Sequence, residues 1–286
     1  MRQRTMVFGL IFLSIMLVII PVARPSAAGF TIDYPGAIVT WPLGVNNSGT
    51  VVGYYADNAG IHGFVFQGAG ATGRFTSVDV PGSIQTELHG INNRGVTVGV
   101  YWDSAGNQHG FMHRGRDFTK GYTTVDVAGA YETTPSGINA SGEIVGKYHD
   151  ATYQLHGFAV IRGVMTTLDV SSATVPAPLP GTTEASGVNR SGAIVGDYLD
   201  TAYTFDGFVS QRTSFAPFTY NNAMVTFPKG ISDKGEIVGI EYDGGTTFHG
   251  FAMGAPVSSG SGDEDRGDGD NGQGGDQDGD QGGDHE

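Results

Sequence analysis

A His-Gly-Phe tripeptide recurs along this chain at nearly even intervals, and that recurrence limits the fold more than any other feature. Its copies are His62-Gly63-Phe64, His109-Gly110-Phe111, His156-Gly157-Phe158, the variant Asp206-Gly207-Phe208, and His249-Gly250-Phe251. The glycines are 47, 47, 50 and 43 residues apart. Two more motifs keep the same pace. Gly44-Val45-Asn46, Gly90-Ile91-Asn92, Gly137-Ile138-Asn139, Gly187-Val188-Asn189 and Gly230-Ile231-Ser232 lie upstream, and Val52-Gly53, Val98-Gly99, Val145-Gly146, Val195-Gly196 and Val238-Gly239 lie between. An aspartate follows each of these last glycines by four residues, at Asp57, Asp103, Asp150, Asp200 and Asp243. So many coincident markers require five copies of one structural unit.

Each copy reads as four short strands. A Phe-Thr-x-x-Asp segment, as in Phe75 to Asp79, is expected to come first and to end in a Pro-Gly turn. The second strand runs into Gly-Ile-Asn and stops where a glycine can adopt positive φ in a hairpin loop. Ile-Val-Gly-x-Tyr makes the third strand, closed by an Asx turn, and His-Gly-Phe opens the fourth. Residues 29 to 257 carry no sustained 3.6-residue apolar period, so the chain is expected to be all-β. Four antiparallel strands in 43 to 50 residues match the size of a propeller blade. The expectation is a β-propeller of five four-stranded blades, with repeats at about 30–68, 75–115, 121–162, 165–210 and 215–254. A closed ring would remove exposed sheet edges.

The repeat resembles the bacterial extracellular HAF-repeat family, whose His-Ala-Phe tripeptide stands here as His-Gly-Phe. The resemblance spans Phe30 to Gly254 and includes the Gly-Ile-Asn-x-x-Gly and Ile-Val-Gly segments. It implies an exported repeat protein and brings no catalytic residues with it.

The two ends differ from the repeats. Residues 1–28 read as a signal peptide: Arg2 and Arg4 precede the apolar run Met6 to Ile20, and Ser26-Ala27-Ala28 offers a cleavage site. The run falls short of the ~20 residues that cross a bilayer, so no membrane insertion is expected after cleavage. Residues 258–286 are almost wholly Gly, Asp, Gln and Ser and are expected to be a disordered acidic tail. Asp276, Asp278 and Asp280 start like a calcium loop, but Gln281 stands where glycine is needed. Weak, non-specific divalent-cation binding by the tail is the only cofactor-like property expected. The whole chain carries -14, and the body without signal and tail carries -8, which excludes a nucleic-acid partner. There is no cysteine, so packing alone must hold an exported fold together.

Recurring residues are assigned to architecture. His62, His109, His156, Asp206 and His249 occupy one position in every unit, as a structural role would require, and no metal site is expected. Thr40, Thr86, Thr133, Thr183 and Thr226 are five for five, and a hydroxyl–backbone bond is expected of them. The Val-Gly glycines are expected to leave room for an aromatic ring. Positions that vary among equal units are the ligand-binding candidates. Trp41, Glu87 and Glu184, with Phe227, come from one slot, and Trp102, His149 and Tyr242 from another. The function expected is a secreted, non-catalytic binding or scaffold module, extracellular or periplasmic in a Gram-negative host, for carbohydrate or a cell-surface component, acting as a monomer. The alternatives are a polysaccharide hydrolase or lyase using Glu87 and Glu184, with a pocket under the fourth unit's Pro-rich insertion, and a purely structural surface protein.

Overall fold

The computed structural model describes residues 30–68, 73–170, 179–211 and 214–254. The segment read as a signal peptide, most of the fourth unit's Pro-rich insertion and the acidic C-terminal residues lie outside these residues. The described chain is all-β, with no α-helix. Its strands fall into five groups, each a meander in chain order. The first holds β1 (Val39–Val45), β2 (Val51–Ala56), β3 (Ile61–Gln67) and β4 (Arg74–Val78). The second holds β5 (Gln85–Ile91), β6 (Thr97–Trp102), β7 (Gln108–His113) and β8 (Tyr122–Thr124). The third holds β9 (Glu132–Ile138), β10 (Ile144–His149), β11 (Leu155–Ile161) and β12 (Val164–Leu168). The fourth holds β13 (Glu184–Val188), β14 (Ala193–Leu199), β15 (Phe205–Gln211) and β16 (Ser214–Phe218). The fifth has β17 (Val225–Ile231), β18 (Ile237–Tyr242) and β19 (Phe248–Met253). A single parallel pair, Phe205 with Val225, joins the last two groups.

Two expectations change here. The Phe-Thr-x-x-Asp strand belongs to the preceding His-Gly-Phe strand, pairing with it antiparallel with Phe64 opposite Ser77. Each sheet therefore starts one strand later than the sequence phase suggests. As a result the fifth group has three described strands instead of four. Residues 30–34, the segment left over at the other end, pack Ile32 and Tyr34 against Tyr55, Phe64 and Phe66 of the first unit.

Successive units stack face to face, each interface built from one apolar cluster. Val52, Val65, Val78 and Val80 of the first unit meet Leu88 and Phe111 of the second. Equivalent clusters join the second to the third, the third to the fourth and the fourth to the fifth. Polar side chains lock these faces in register. A threonine hydroxyl at the start of each unit accepts the backbone N–H of the segment before it: Tyr34 to Thr40, Val80 to Thr86, Val127 to Thr133, Val170 to Thr183 and Tyr220 to Thr226, at 2.9–3.1 Å. At the turns, an asparagine amide donates to the equivalent carbonyl of the next unit. Asn46 reaches Asn92, Asn92 reaches Asn139, Asn139 reaches Asn189 and Asn189 reaches Ser232, at 2.9–3.2 Å. The same asparagine Oδ1 accepts two backbone N–H groups of its own turn, as Asn92 does from Arg94 and Val96.

The glycines have two separate causes. The Val-Gly glycines sit against a bulge in the neighbouring strand of their own sheet, and a Cβ on Gly99 would fall 2.0 Å from the Glu87 carbonyl oxygen. Backbone crowding within the unit, more than a ring from the next, excludes a side chain there. The Gly-Ile-Asn glycines let the first strands approach one another, since a Cβ on Gly187 would lie 3.1 Å from Gly230 Cα. The first strands β1, β5, β9, β13 and β17 thus lie beside one another in succession.

The asparagine chain yields a test. Asn92→Asp keeps the acceptor for its own turn but sets an oxygen against the Asn139 carbonyl in a buried site. Urea unfolding at pH 7 should show a loss of about 2–4 kcal/mol, shrinking at pH 3–4 as the new carboxyl takes up a proton.

Candidate functional site

The recurring histidines are occupied by the fold. His62 Nδ1 lies 2.8 Å from Asp79 and its Nε2 3.7 Å from Asp57. His109 sits between Asp126 and Asp103, and His156 between Asp169 and Asp150, in the same geometry. Tyr55, Tyr101 and Tyr148 stack on these rings at 5.0–5.3 Å. In the fourth unit both partners change together: Asp206 replaces the histidine, and Thr219 Oγ1 donates to it at 2.8 Å. His249 reaches Thr247 Oγ1 at 3.0 Å and, among the described residues, has no carboxylate of a fourth strand beside it. The turn aspartates also cap their own loops, as Asp103 does for Ala105 and Asn107. Those bonds hold Asp103 down at about 2, and the Asp126 hydrogen bond raises His109.

The variable slots occupy two levels. Trp41, Glu87, Glu184 and Phe227 lie on the first strands of four different units. Trp41 stacks edge-on with Tyr54 at 5.1 Å, and burial together with the charge of Glu87 pushes the Tyr54 phenol up to about 12. Glu87 Oε2 lies 3.1 Å from His89 Nε2. Glu184 accepts from Lys147 Nζ at 3.0 Å, and Phe227 packs on Phe205 at 5.0 Å. Trp102, His149 and Tyr242 lie at the opposite end of the second strands. His149 pairs with Glu132 at 2.8 Å, and the Tyr242 hydroxyl donates to the Gly245 carbonyl. The structure does not bring the seven together in one of its three main cavities.

Opposite Glu184, at the same level of the neighbouring strand, stands Asp197. It is 4% exposed, its Oδ1 has no partner, and burial reinforced by Glu184 raises it to about 7 despite Lys229 and Lys147 nearby. Sequence reading missed it, because an aspartate within an apolar strand looks like any other surface position until the neighbouring sheet covers it.

Three cavities formed by the described residues are of note. One of about 610 Å³ is bounded by the Gly-Ile-Asn turns of all five units. A second, of about 390 Å³, lies beside His109 and Asp126. The third, of about 580 Å³, is wedged between the first and second units. Thr97 and His113 face each other across two strands of the second unit. The equivalent pairs are Val51 with Phe66, Ile144 with Val160, Ile194 with Ser210 and Ile237 with Met253. His113 is fully buried, and its Nε2 lies 3.1 and 3.0 Å from the carbonyls of Asp117 and Lys120. It thereby fixes the 114–121 loop and stacks on Phe118 at 4.3 Å. Gly115, Arg116 and Phe118 of that loop form one wall of the cavity, and Asn93, Arg94 and Ile91 form another. No carboxylate lines it.

No family model matches the sequence, and no curated protein does. Among solved structures, the chain is similar to AofleA from Arthrobotrys oligospora, with 14% identity over 78% of this chain and 72% of that one, and a TM-score of 0.46. A Hadza microbial sialidase shares 12% identity over 74% of this chain and 55% of its own length, with a TM-score of 0.47. The Aleuria aurantia lectin, a fungal lectin described as a six-bladed β-propeller with a novel fucose recognition mode, shares 11% over 75% of this chain and 77% of its own, with a TM-score of 0.36.

Asp197 makes a pH prediction. An acid whose folded value is raised stabilises the fold only while protonated. Its contribution is therefore lost as pH rises from about 4, where the unfolded chain ionises, through the folded value near 7. Asp197→Asn should leave stability near pH 4 unchanged and raise it at pH 8 by on the order of 2–4 kcal/mol in denaturant titrations.

Proposed function

We propose that this is a secreted, non-catalytic repeat protein of the HAF kind, acting as an extracellular binding module for carbohydrate. The observation that carries this is the cavity between the first and second units. It is lined by amides, hydroxyls and guanidinium groups beside an apolar wall, at an interface where the buried core pair Thr97 and His113 is polar. A sugar presents hydroxyls around a C–H face, and such a mixed lining meets both. One observation favours a second function, hydrolysis or lysis of a polysaccharide: Glu184 and Asp197 form a carboxylate pair whose surroundings hold one near neutrality and leave the other paired with Lys147. A glycan array probed with the purified protein should show retention of a defined saccharide class with no turnover of it. Silence across the array would remove the carbohydrate reading, and turnover abolished by Asp197→Asn would establish the second.

The binding platform is, in the same proposal, a five-bladed propeller ring that residues 30–33 complete as the fourth strand of the last sheet. Several observations support it. Aligned on the Tyr34–Thr40 bond, Asp33 corresponds to Asp79, the partner that His249 lacks. Val238 is 49% exposed where its equivalents Val52, Val98, Val145 and Val195 are 0–1% exposed, and Ile240 and Phe248 are exposed beside it. In that register Phe30 would stand opposite Ala252. The chain has no native cysteine, so Phe30→Cys with Ala252→Cys should form one intramolecular disulfide and raise the melting temperature by several degrees. Disulfide-linked dimers in place of a cross-linked monomer would contradict closure.

A further inference from the structure

We propose that the cavity between the first and second units holds its saccharide by an anionic group, the carboxylate of an acidic sugar, gripped by Arg94 and Arg116 at the rim with Thr97 bonding a sugar oxygen below. This rests on the carbohydrate-binding reading above and names the class of sugar.

Three independent exceptions to the repeat meet at this one place. Arg94 stands at a turn position held by Ser48, Ser141 and Ser191 in three other units, and by Lys234 in the fifth. Arg116 arrives on the 114–121 loop, which His113 holds in place. Neither guanidinium has a carboxylate partner among the described residues, whereas Arg190 pairs with Asp233 and Lys147 with Glu184. In a body carrying -8, two unneutralised arginines beside a cavity without a single carboxylate give a local field opposite to that of the surface around them. A guanidinium presents parallel N–H donors that match a carboxylate fork, so the pair selects an anion by shape as well as charge.

Thr97 is the third exception. It is 1% exposed, it lines the cavity, and its Oγ1 has no hydrogen-bond partner. The equivalent residues Val51, Ile144, Ile194 and Ile237 show that an aliphatic side chain serves the fold at this position. A buried hydroxyl without a partner destabilises the fold, so its presence calls for an explanation that packing does not supply. A ligand oxygen in the cavity supplies one. Phe118, stacked on His113, offers an apolar surface for the sugar's C–H face on the same side.

The test uses the full chain and isothermal titration with four probes: an oligogalacturonate, its methyl ester, the corresponding neutral galactose oligomer, and a sulfated galactan oligomer. The oligogalacturonate should bind, and its methyl ester and the neutral oligomer should bind at least tenfold more weakly. The sulfated probe distinguishes a carboxylate from a sulfate ester as the anion, and tighter binding of it than of the uronate would overturn the carboxylate assignment. Arg94→Gln and Arg116→Gln should each weaken uronate binding about tenfold, with an affinity that falls as salt is raised. Thr97→Val should weaken binding about fivefold while the melting temperature stays the same or rises, a combination that a merely structural threonine would not give. Neutral and acidic oligomers binding equally, unaffected by either arginine substitution, would overturn the anionic inference and leave the carbohydrate reading standing. Failure of all four probes, together with a silent glycan array, would remove both.

Discussion

The side-chain amide of the turn asparagine does two jobs that the rest of the structure depends on. Its oxygen shapes a tight turn within one unit, and its nitrogen donates to the same turn of the next. One residue thus fixes local conformation and the spacing between neighbours together. The threonine hydroxyl repeats the arrangement further along the same strand, tying each unit to the segment before it. Hydrophobic clusters between the faces supply most of the driving force. Apolar contact alone permits sliding, however, and these buried bonds set the register because a slipped face would leave them unpaired. The chain of amides stops at Ser232, which accepts from Asn189 but has no amide to pass the bond on.

Because the recurring polar groups satisfy one another, within units and between them, recurring residues are poor guides to function. In the first three units the histidines lie between aspartates, the aspartates cap turns, and the tyrosines cover the histidines. The fourth unit shows the same logic by compensation, exchanging a His–Asp pair for an Asp–Thr pair at one position. Chemistry that is free to meet a ligand lies where one unit departs from its neighbours without such repair, as at Thr97, Arg94 and the loop held by His113.

Much of the fold was legible in the sequence. Strand number per repeat, the turn aspartates and the threonine–backbone bond follow from residue types at fixed offsets. The phase of the sheets was not legible. Nothing in Phe75 to Asp79 says whether it pairs forward or back, and only the hairpin contact with Phe64 decides it. The site was less legible still. Trp41 and Phe227 stand out as aromatics in variable slots, yet they sit on the first strands of different units. Thr97 attracts no attention, since threonine is ordinary in a strand. Its meaning appears only when the register aligns it with four aliphatic residues and shows its hydroxyl buried. Aligning buried positions unit by unit, with polarity as the criterion, was the signal that could have found it.

A crystal structure of the protein with an oligogalacturonate bound would test most directly the claim that function resides at the broken interface. Ligand density between Arg94 and Arg116, with a sugar oxygen within hydrogen-bond distance of Thr97 Oγ1, is the result expected. Density confined to the cavity bounded by the Gly-Ile-Asn turns, or to the first-strand residues Trp41 and Phe227, would contradict it.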